Sequence, residues 1–196
     1  MNSLREITKY QKQKKVALVD YLKLSKEVSY ALRHAPWEYG LELDDEGWAD
    51  VRGLLYSLHS RGSKKLSERD LYVMVEKSDK KRHEILDGKI RALYGHSIPQ
   101  KILKASKAPP EILYHGTARR FIEQIMEKGL LAQNRQYVHL SVDIETALQV
   151  GKRRDHEPVL LKIQALRAWT DGVKFYLGND KVWLADTIPS EYIRIE

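Results

Sequence analysis

The sequence predicts an α+β fold in two consecutive parts, and three observations carry that reading. Apolar residues recur at helical spacing through much of residues 17–77, whereas short strand-like runs dominate after residue 111. The basic excess is one-sided: residues 1–108 hold 22 Lys and Arg against 15 Asp and Glu, and residues 109–196 hold 12 against 12. Between the two, a lysine-rich stretch from Ile98 closes on Pro109-Pro110, the composition of a linker. The expected division is a basic part over residues 1–108, linker 98–108 included, and a second part over residues 109–196.

Residues 1–15 carry Lys9, Lys12, Lys14 and Lys15, either as a tail or as the first turns of a helix. From Ala17, the positions Leu18, Tyr21, Leu22, Val28, Ala31 and Leu32 fall at three- and four-residue steps, one helical face. That helix should stop before Pro36, because the residue preceding a proline is pushed out of the helical region. Leu41 and Leu43 alternate with polar residues as a short strand, and Asp44 to Gly47 form a turn. Asp50 can cap a second helix ending at Gly62, and Ser67 with Asp70 resembles a capping box opening a third, through Lys77. Asp87-Gly88, flanked by runs at 82–86 and 89–93, is a strong hairpin signal. Three helices and a hairpin follow the order of a winged helix, a fold that by itself does not settle function.

In the second part, Ile112-Leu113-Tyr114 reads as a strand turning through His115-Gly116-Thr117 into an amphipathic helix that ends at Gly129. Strands are expected over 138–141, 159–165, 174–177 and 182–185, with a short helix from about Asp143, giving a mainly antiparallel sheet.

The net charge of +7 lies wholly in the first part, which suits a polyanion such as RNA or DNA, although solubility alone also accounts for such a charge. Absence of cysteine rules out disulfides and thiolate catalysis and fits a reducing cytoplasm. Neither a membrane span nor a secretory leader is expected, so the reading is cytoplasmic; a monomer is the expectation, with the oligomeric state left open by the sequence. No Gly-x-Gly-x-x-Gly and no phosphate-loop motif occurs, so a dinucleotide or ATP, if used, is not held in those ways. The seven histidines show no i, i+4 pairing of the metalloprotease kind, and no metal is expected.

Several short motifs can carry chemistry. Arg33-His34 at a helix end could hold a phosphate or merely complement the helix dipole. Arg91, shortly before Gly95-His96-Ser97, could face a ligand or only solvent. His115-Gly116-Thr117 could present N–H groups to a nucleotide at a helix N-terminus or be an ordinary turn. His139 and Ser141 on a strand could line a pocket, and Lys152-Arg153-Arg154 could clamp a phosphate or form a solvated turn.

Taken in register, the pieces are more specific. Leu24-Ser25-Lys26 through Leu32-Arg33-His34-Ala35-Pro36, Gly40 to Asp44, Glu46-Gly47-Trp48-Ala49-Asp50-Val51, Ile90-Arg91-Ala92 with Gly95-His96-Ser97, Leu113 to Thr117, and Val138-His139-Leu140-Ser141 together resemble the RNA 2′-phosphotransferase family. The resemblance runs from about residue 22 to the C-terminus. It implies a winged-helix RNA lobe followed by a lobe with the ADP-ribosyltransferase fold. It also implies removal of an RNA 2′-phosphate onto NAD⁺, releasing nicotinamide, 2′-OH RNA and ADP-ribose 1″,2″-cyclic phosphate, on a substrate such as tRNA. By resemblance Arg33, His34 and Arg91 match three members of the family's Arg-His-Arg-Arg set, with the fourth at Arg153, beside Arg154. His115, Gly116, Thr117, His139 and Ser141 would line the NAD⁺ site. The sequence departs from the family at Leu93-Tyr94, where a polar pair is common.

Two other functions fit the same reading: mono-ADP-ribosylation of a protein or nucleic-acid end, and nucleic-acid binding without catalysis.

Overall fold

Two separate hydrophobic clusters organise the chain, and short side-chain caps fix where the first set of helices begins. The computed structural model describes residues 19–63 and 65–196; the lysines expected in a tail or helix over 1–15 lie outside them. Helix α1 (Tyr21–Arg33) starts where the Asp20 carboxylate accepts from the Lys23 N–H at 2.9 Å. Val28, Ala31 and Leu32 of the expected stripe are buried, whereas Leu22 is 65% exposed and Leu24, outside the expected set, is buried in its place. Helix α2 (Val51–Ser60) is capped by Asp50, which accepts from Gly53 N–H at 2.7 Å. Helix α3 (Glu68–Glu76) begins with Asp70 accepting from the Ser67 N–H and hydroxyl at 2.8 and 2.6 Å. Leu54, Leu58, Leu71 and Met74 close the first cluster against Ile90.

The strand expected at Leu41 and Leu43 does not form. Asp44 instead folds the chain back, its N–H donating to Trp48 carbonyl at 3.1 Å and its carboxylate accepting from Trp48 N–H at 2.9 Å. The strand is β1 (Trp48–Asp50), just after that turn. It pairs with β3 (Lys89–Ala92), which pairs in turn with β2 (His83–Leu86), giving an antiparallel sheet in the order β1-β3-β2.

The second cluster lies on a six-stranded, wholly antiparallel sheet in the order β11-β7-β4-β6-β9-β8, so the chain is α+β. Its strands are β4 (Ile112–Thr117), β6 (Val138–Ser141), β7 (Val159–Gln164), β8 (Phe175–Leu177), β9 (Val182–Ala185) and β11 (Ile193–Ile195). The short β5 (Leu130–Leu131) and β10 (Thr187–Ile188) pair separately. Helices α4 (Ile122–Lys128), α5 (Ile144–Gly151) and α6 (Ala165–Thr170) complete it. Leu113, Leu140, Leu161, Ile163 and Phe175 are its fully buried centre.

His115-Gly116-Thr117 is not a turn at a helix start. It continues β4, in register with Leu161, Leu160 and Val159, and α4 begins only after a 3-10 turn over Arg119–Phe121. The lysine-rich segment before Pro109 is also held more firmly than a linker. Ile98 and Ile102 are buried, and the Gln136 side chain donates to the Ile98 and Gln100 carbonyls while accepting from Ile102 N–H, all within 2.9 Å.

Candidate active site at the junction of the two clusters

The last turn of α1 delivers Arg33 and His34 to the place where both clusters meet. Ser97 fastens that turn. Ser97 N–H donates to the Arg33 carbonyl at 2.9 Å, and Ser97 Oγ lies 2.7 Å from His34 Nδ1. Gly95 carbonyl accepts from the guanidinium of Arg135. Gly95 has φ 90°, and a Cβ there would stand 3.4 Å from Arg33 Nη1 and 3.7 Å from Arg135 Nη1, so glycine suits both the backbone and the approach of two arginines.

Arg33 is the most enclosed of these cations. Its Nη2 donates to the Arg82 carbonyl at 3.3 Å, its guanidinium lies 5.1 Å from the centre of the Tyr94 ring, and its buried Nε has no partner. Burial pushes its pKa down to about 10, and the charges of Arg82 and Arg135 add to that. His34 is likewise held below its ordinary value by burial, then by Arg135 and Arg33. Arg135 is lowered by burial and by Arg154. Among the described residues, Arg33, His34 and Arg135 form no ion pair with a carboxylate. Concentrated positive charge without a neutralising acid is costly unless an anion completes it.

Tyr94 reaches across the junction. One side of its ring meets Arg33, and its edge meets His139 of β6, with centroids 6.0 Å apart. Burial, followed by Arg135, pushes His139 down to about 4. The His139 carbonyl can only accept, so His115 Nδ1–H donates to it at 2.9 Å and His115 Nε2 is left as an acceptor. Burial also lowers His115, which keeps the ring neutral at pH 7. Tyr114 pairs with Ser141, which brings the His115 region of β4 beside the end of β6, where Thr117 and Ser141 are both buried.

Gly116 has a structural reason of its own. A Cβ there would collide with the Ala147 carbonyl and come within 3.2 Å of Gly151 N, so its absence lets α5 lie directly on β4.

The structure does not bring all the sequence-predicted residues together. Arg91 projects from the face of β3 opposite Ile90 and Ala92, only 23% exposed, with its guanidinium 4.2 Å over the Trp48 ring and ion-paired with Glu84 at 2.8 Å and Glu46 at 3.0 Å. These partners are its cross-strand neighbours, since Arg91 is in register with Trp48 and Glu84, while Ile90 and Ala92 turn inward. Arg153 lies exposed in the turn after α5, with no side-chain hydrogen bond or ion pair among the described residues. Arg82 and Arg135, passed over in the sequence, are the arginines that flank Arg33. The run Lys80-Lys81-Arg82 and the position of Arg135 three residues before β6 were the available signals.

Residues 20–187 match the family model described as RNA 2′-phosphotransferase, Tpt1 / KptA family. The chain belongs to the RNA 2′-phosphotransferase family. Relatives named as probable RNA 2′-phosphotransferases agree in length as well as sequence. That of Acetivibrio thermocellus is 72% identical, covering 92% of this chain and 100% of the relative. Those of Bacillus thuringiensis subsp. konkukian and Agrobacterium fabrum are 59% and 46% identical, covering 89% and 87% of this chain and 95% and 92% of theirs. A family defined by handling a phosphate matches a site whose main feature is a group of cations lacking acidic partners.

Proposed function

We propose that this member of the family removes an internal 2′-phosphate from RNA and transfers it to NAD⁺, with Arg33, His34, Arg82 and Arg135 forming the phosphate site. The supporting observation is the uncompensated cluster around Arg33, built from both halves of the chain. The N-terminal three-helix and hairpin portion is read as a winged-helix RNA lobe, and the C-terminal antiparallel sheet as an NAD⁺ lobe of the ADP-ribosyltransferase kind. Arg91 and Arg153, expected from sequence in the phosphate set, are reassigned to the Glu46-Glu84-Trp48 network and to an exposed turn.

The residues present fit NAD⁺ in part. Neutral His115 and His139, with the buried Thr117 and Ser141, offer donors and acceptors along two adjacent strands that open toward the arginines. Gly116 contributes packing rather than a phosphate cradle.

NAD⁺ supplies a ribose carbon whose bond to nicotinamide breaks as the RNA 2′-phosphate attacks. The first task of the chain is to hold two anions together, which the guanidiniums do by offsetting their repulsion. Its second is to stabilise the phosphorus centre when the ribose O2″ displaces the RNA 2′-oxygen. Arg33, fixed by the Arg82 carbonyl and the Tyr94 ring, is pre-aimed for both. His34 is tied through Nδ1 to Ser97, which leaves Nε2 to bind a phosphate oxygen or pass a proton to the departing 2′-oxygen.

The test is a product assay by mass with protein, NAD⁺ and a short RNA carrying one internal 2′-phosphate, without added metal. The reading expects 2′-OH RNA, nicotinamide and ADP-ribose 1″,2″-cyclic phosphate. Folded protein that gives no turnover, or an ADP-ribosylated product that never resolves, refutes it.

A further inference from the structure

The face of α1 that leads away from the phosphate site differs from an ordinary solvated helix face. Tyr30 lies one turn before His34, with ring centroids 6.1 Å apart, and is 43% exposed. Lys26 and Lys23 extend the same face by four- and three-residue steps, both exposed. Together with Arg61, which follows α2, they wall a groove of about 700 Å³ that also takes in Tyr39 and one acid, Glu27.

The groove is organised rather than incidental. The Arg61 guanidinium carbon sits 4.4 Å from the centre of the Tyr39 ring, and the side chain donates to the Glu38 carbonyl at 3.2 Å and pairs with Glu38 Oε2 at 3.7 Å. Tyr30 Oη donates to the other carboxylate oxygen, Oε1, at 2.9 Å. Glu38 is thus occupied in fixing an aromatic ring and a guanidinium, and Lys23 and Lys26 have no ion pair among the described residues. Trp37, in the turn just after His34, leaves an indole 62% exposed at the same end. Aromatic faces alternating with cations form the surface that a single nucleic-acid strand uses, bases stacking on the rings and phosphates meeting the cations.

Helix α3 offers the opposite. Glu68 and Asp70 occupy its first turn, and Arg52 beside it is already paired with Glu68 at 3.3 Å. With Arg52 and Arg69 offset by these two acids, that turn has no excess of cations for a phosphate backbone.

We infer that the groove along α1 docks the single-stranded RNA flanking the 2′-phosphate, with Tyr30 as the platform for a neighbouring base and Lys23, Lys26 and Arg61 against its backbone phosphates. This rests on the proposed reading of the site, since it places the strand by continuity with His34.

The experiment compares kcat/KM for a 2′-phosphodinucleotide and for a ten-nucleotide RNA with an internal 2′-phosphate, alongside anisotropy binding of the same decamer at several salt concentrations. The wild-type chain should favour the decamer. Lys23→Glu with Lys26→Glu should reduce that preference about tenfold and flatten the salt dependence of decamer binding. Tyr30→Ala should reduce the preference about tenfold and Tyr30→Phe should keep most of it, because stacking needs the ring and not the hydroxyl. An equal effect on both substrates, no length preference in the wild type, or stronger displacement of the decamer by poly-glutamate than by unlabelled RNA overturns the inference. Decamer binding that depends on these residues without any turnover keeps the groove and refutes the reaction instead.

Discussion

Arg33 and Tyr94 form a cation–π pair, 5.1 Å from guanidinium carbon to ring centre, at the point where the helix carrying one meets the strand facing the other. The same ring touches His139, so one side chain couples the proposed phosphate site to the proposed NAD⁺ site. Tyr94→Phe should therefore leave activity nearly intact, whereas Tyr94→Ala should lower kcat/KM roughly fivefold or more, about 1 kcal/mol for a partly desolvated cation–π contact. Steady-state kinetics on a 2′-phosphorylated oligonucleotide distinguishes the two. Equal loss in both variants would place the function in the hydroxyl and not in the ring.

Arg33 separates activity from stability. Its Nε is buried without a partner and its charge faces other cations, so it is a site of stored electrostatic cost. Arg33→Met should abolish most turnover, by about a hundred- to a thousandfold, the usual effect of removing one transition-state donor. The same variant should melt at the wild-type temperature or higher, because a buried unpaired charge has gone. A melting temperature lowered by many degrees would show that Arg33 holds the fold together instead.

Buried histidines set the response to acid. Burial pushes His83 and His96 down to about 3 and His139 down to about 4, each further lowered by nearby arginines. In the unfolded chain such rings protonate near pH 6.5. Above that value neither state binds the protons and stability is full. As pH falls below it, the unfolded chain gains protons that the native state refuses, so stability declines by up to roughly 1.4 kcal/mol per pH unit for each ring until the native pKa is reached. Urea midpoints should thus stay nearly level from pH 7.5 to about pH 6.5 and fall from there to pH 5, and His96→Gln should flatten that fall. A wild-type midpoint that does not move over this range contradicts the account.

His34 should respond to ligand in the opposite direction. Burial, Arg135 and Arg33 hold it below its ordinary value, and a dianion placed among them reverses the electrostatic part. NMR titration of the imidazole with and without adenosine 2′-monophosphate should show its pKa rising when the nucleotide binds. An unchanged value removes His34 from the phosphate site.

Gly116 tests the packing assignment. Gly116→Ala drives a methyl group into the Ala147 backbone, where a helix rather than a flexible side chain must move. Overpacking of that kind costs about 1–3 kcal/mol or more. Thermal unfolding should show a large loss in stability, whereas a cradle residue would lose NAD⁺ binding at unchanged stability.

Much of the fold was legible in local patterns. Asp20 was not needed to find α1, because Val28, Ala31 and Leu32 already mark its buried side, although Leu24 and not Leu22 completes it, and Asp87-Gly88 fixed the hairpin through backbone conformations that few residues adopt. Leu41 and Leu43 misled because alternation describes burial but not pairing, and the Asp44 turn directs the hydrogen bonds to Trp48 instead. The site was less legible for a related reason. Arg91 is near Gly95-His96-Ser97 in sequence, but the two-residue period of β3 turns it toward Glu84 and Trp48. Arg82 and Arg135 reach Arg33 only through tertiary contacts, the Arg82 carbonyl and the Gly95 carbonyl, that no local pattern encodes. Arg33, His34 and the Gly95-His96-Ser97 motif were readable because each lies at a helix end or a backbone turn with its own local signature.

The proposed phosphate site is the cluster around Arg33 and excludes Arg91 and Arg153. Single-turnover rates of 2′-phosphate removal in Arg135→Ala and Arg153→Ala, measured side by side at saturating NAD⁺, test it most directly. The account predicts a loss of about a hundredfold or more in Arg135→Ala, with Arg153→Ala close to wild type. A fully active Arg135→Ala protein, or a collapse confined to Arg153→Ala, would contradict it.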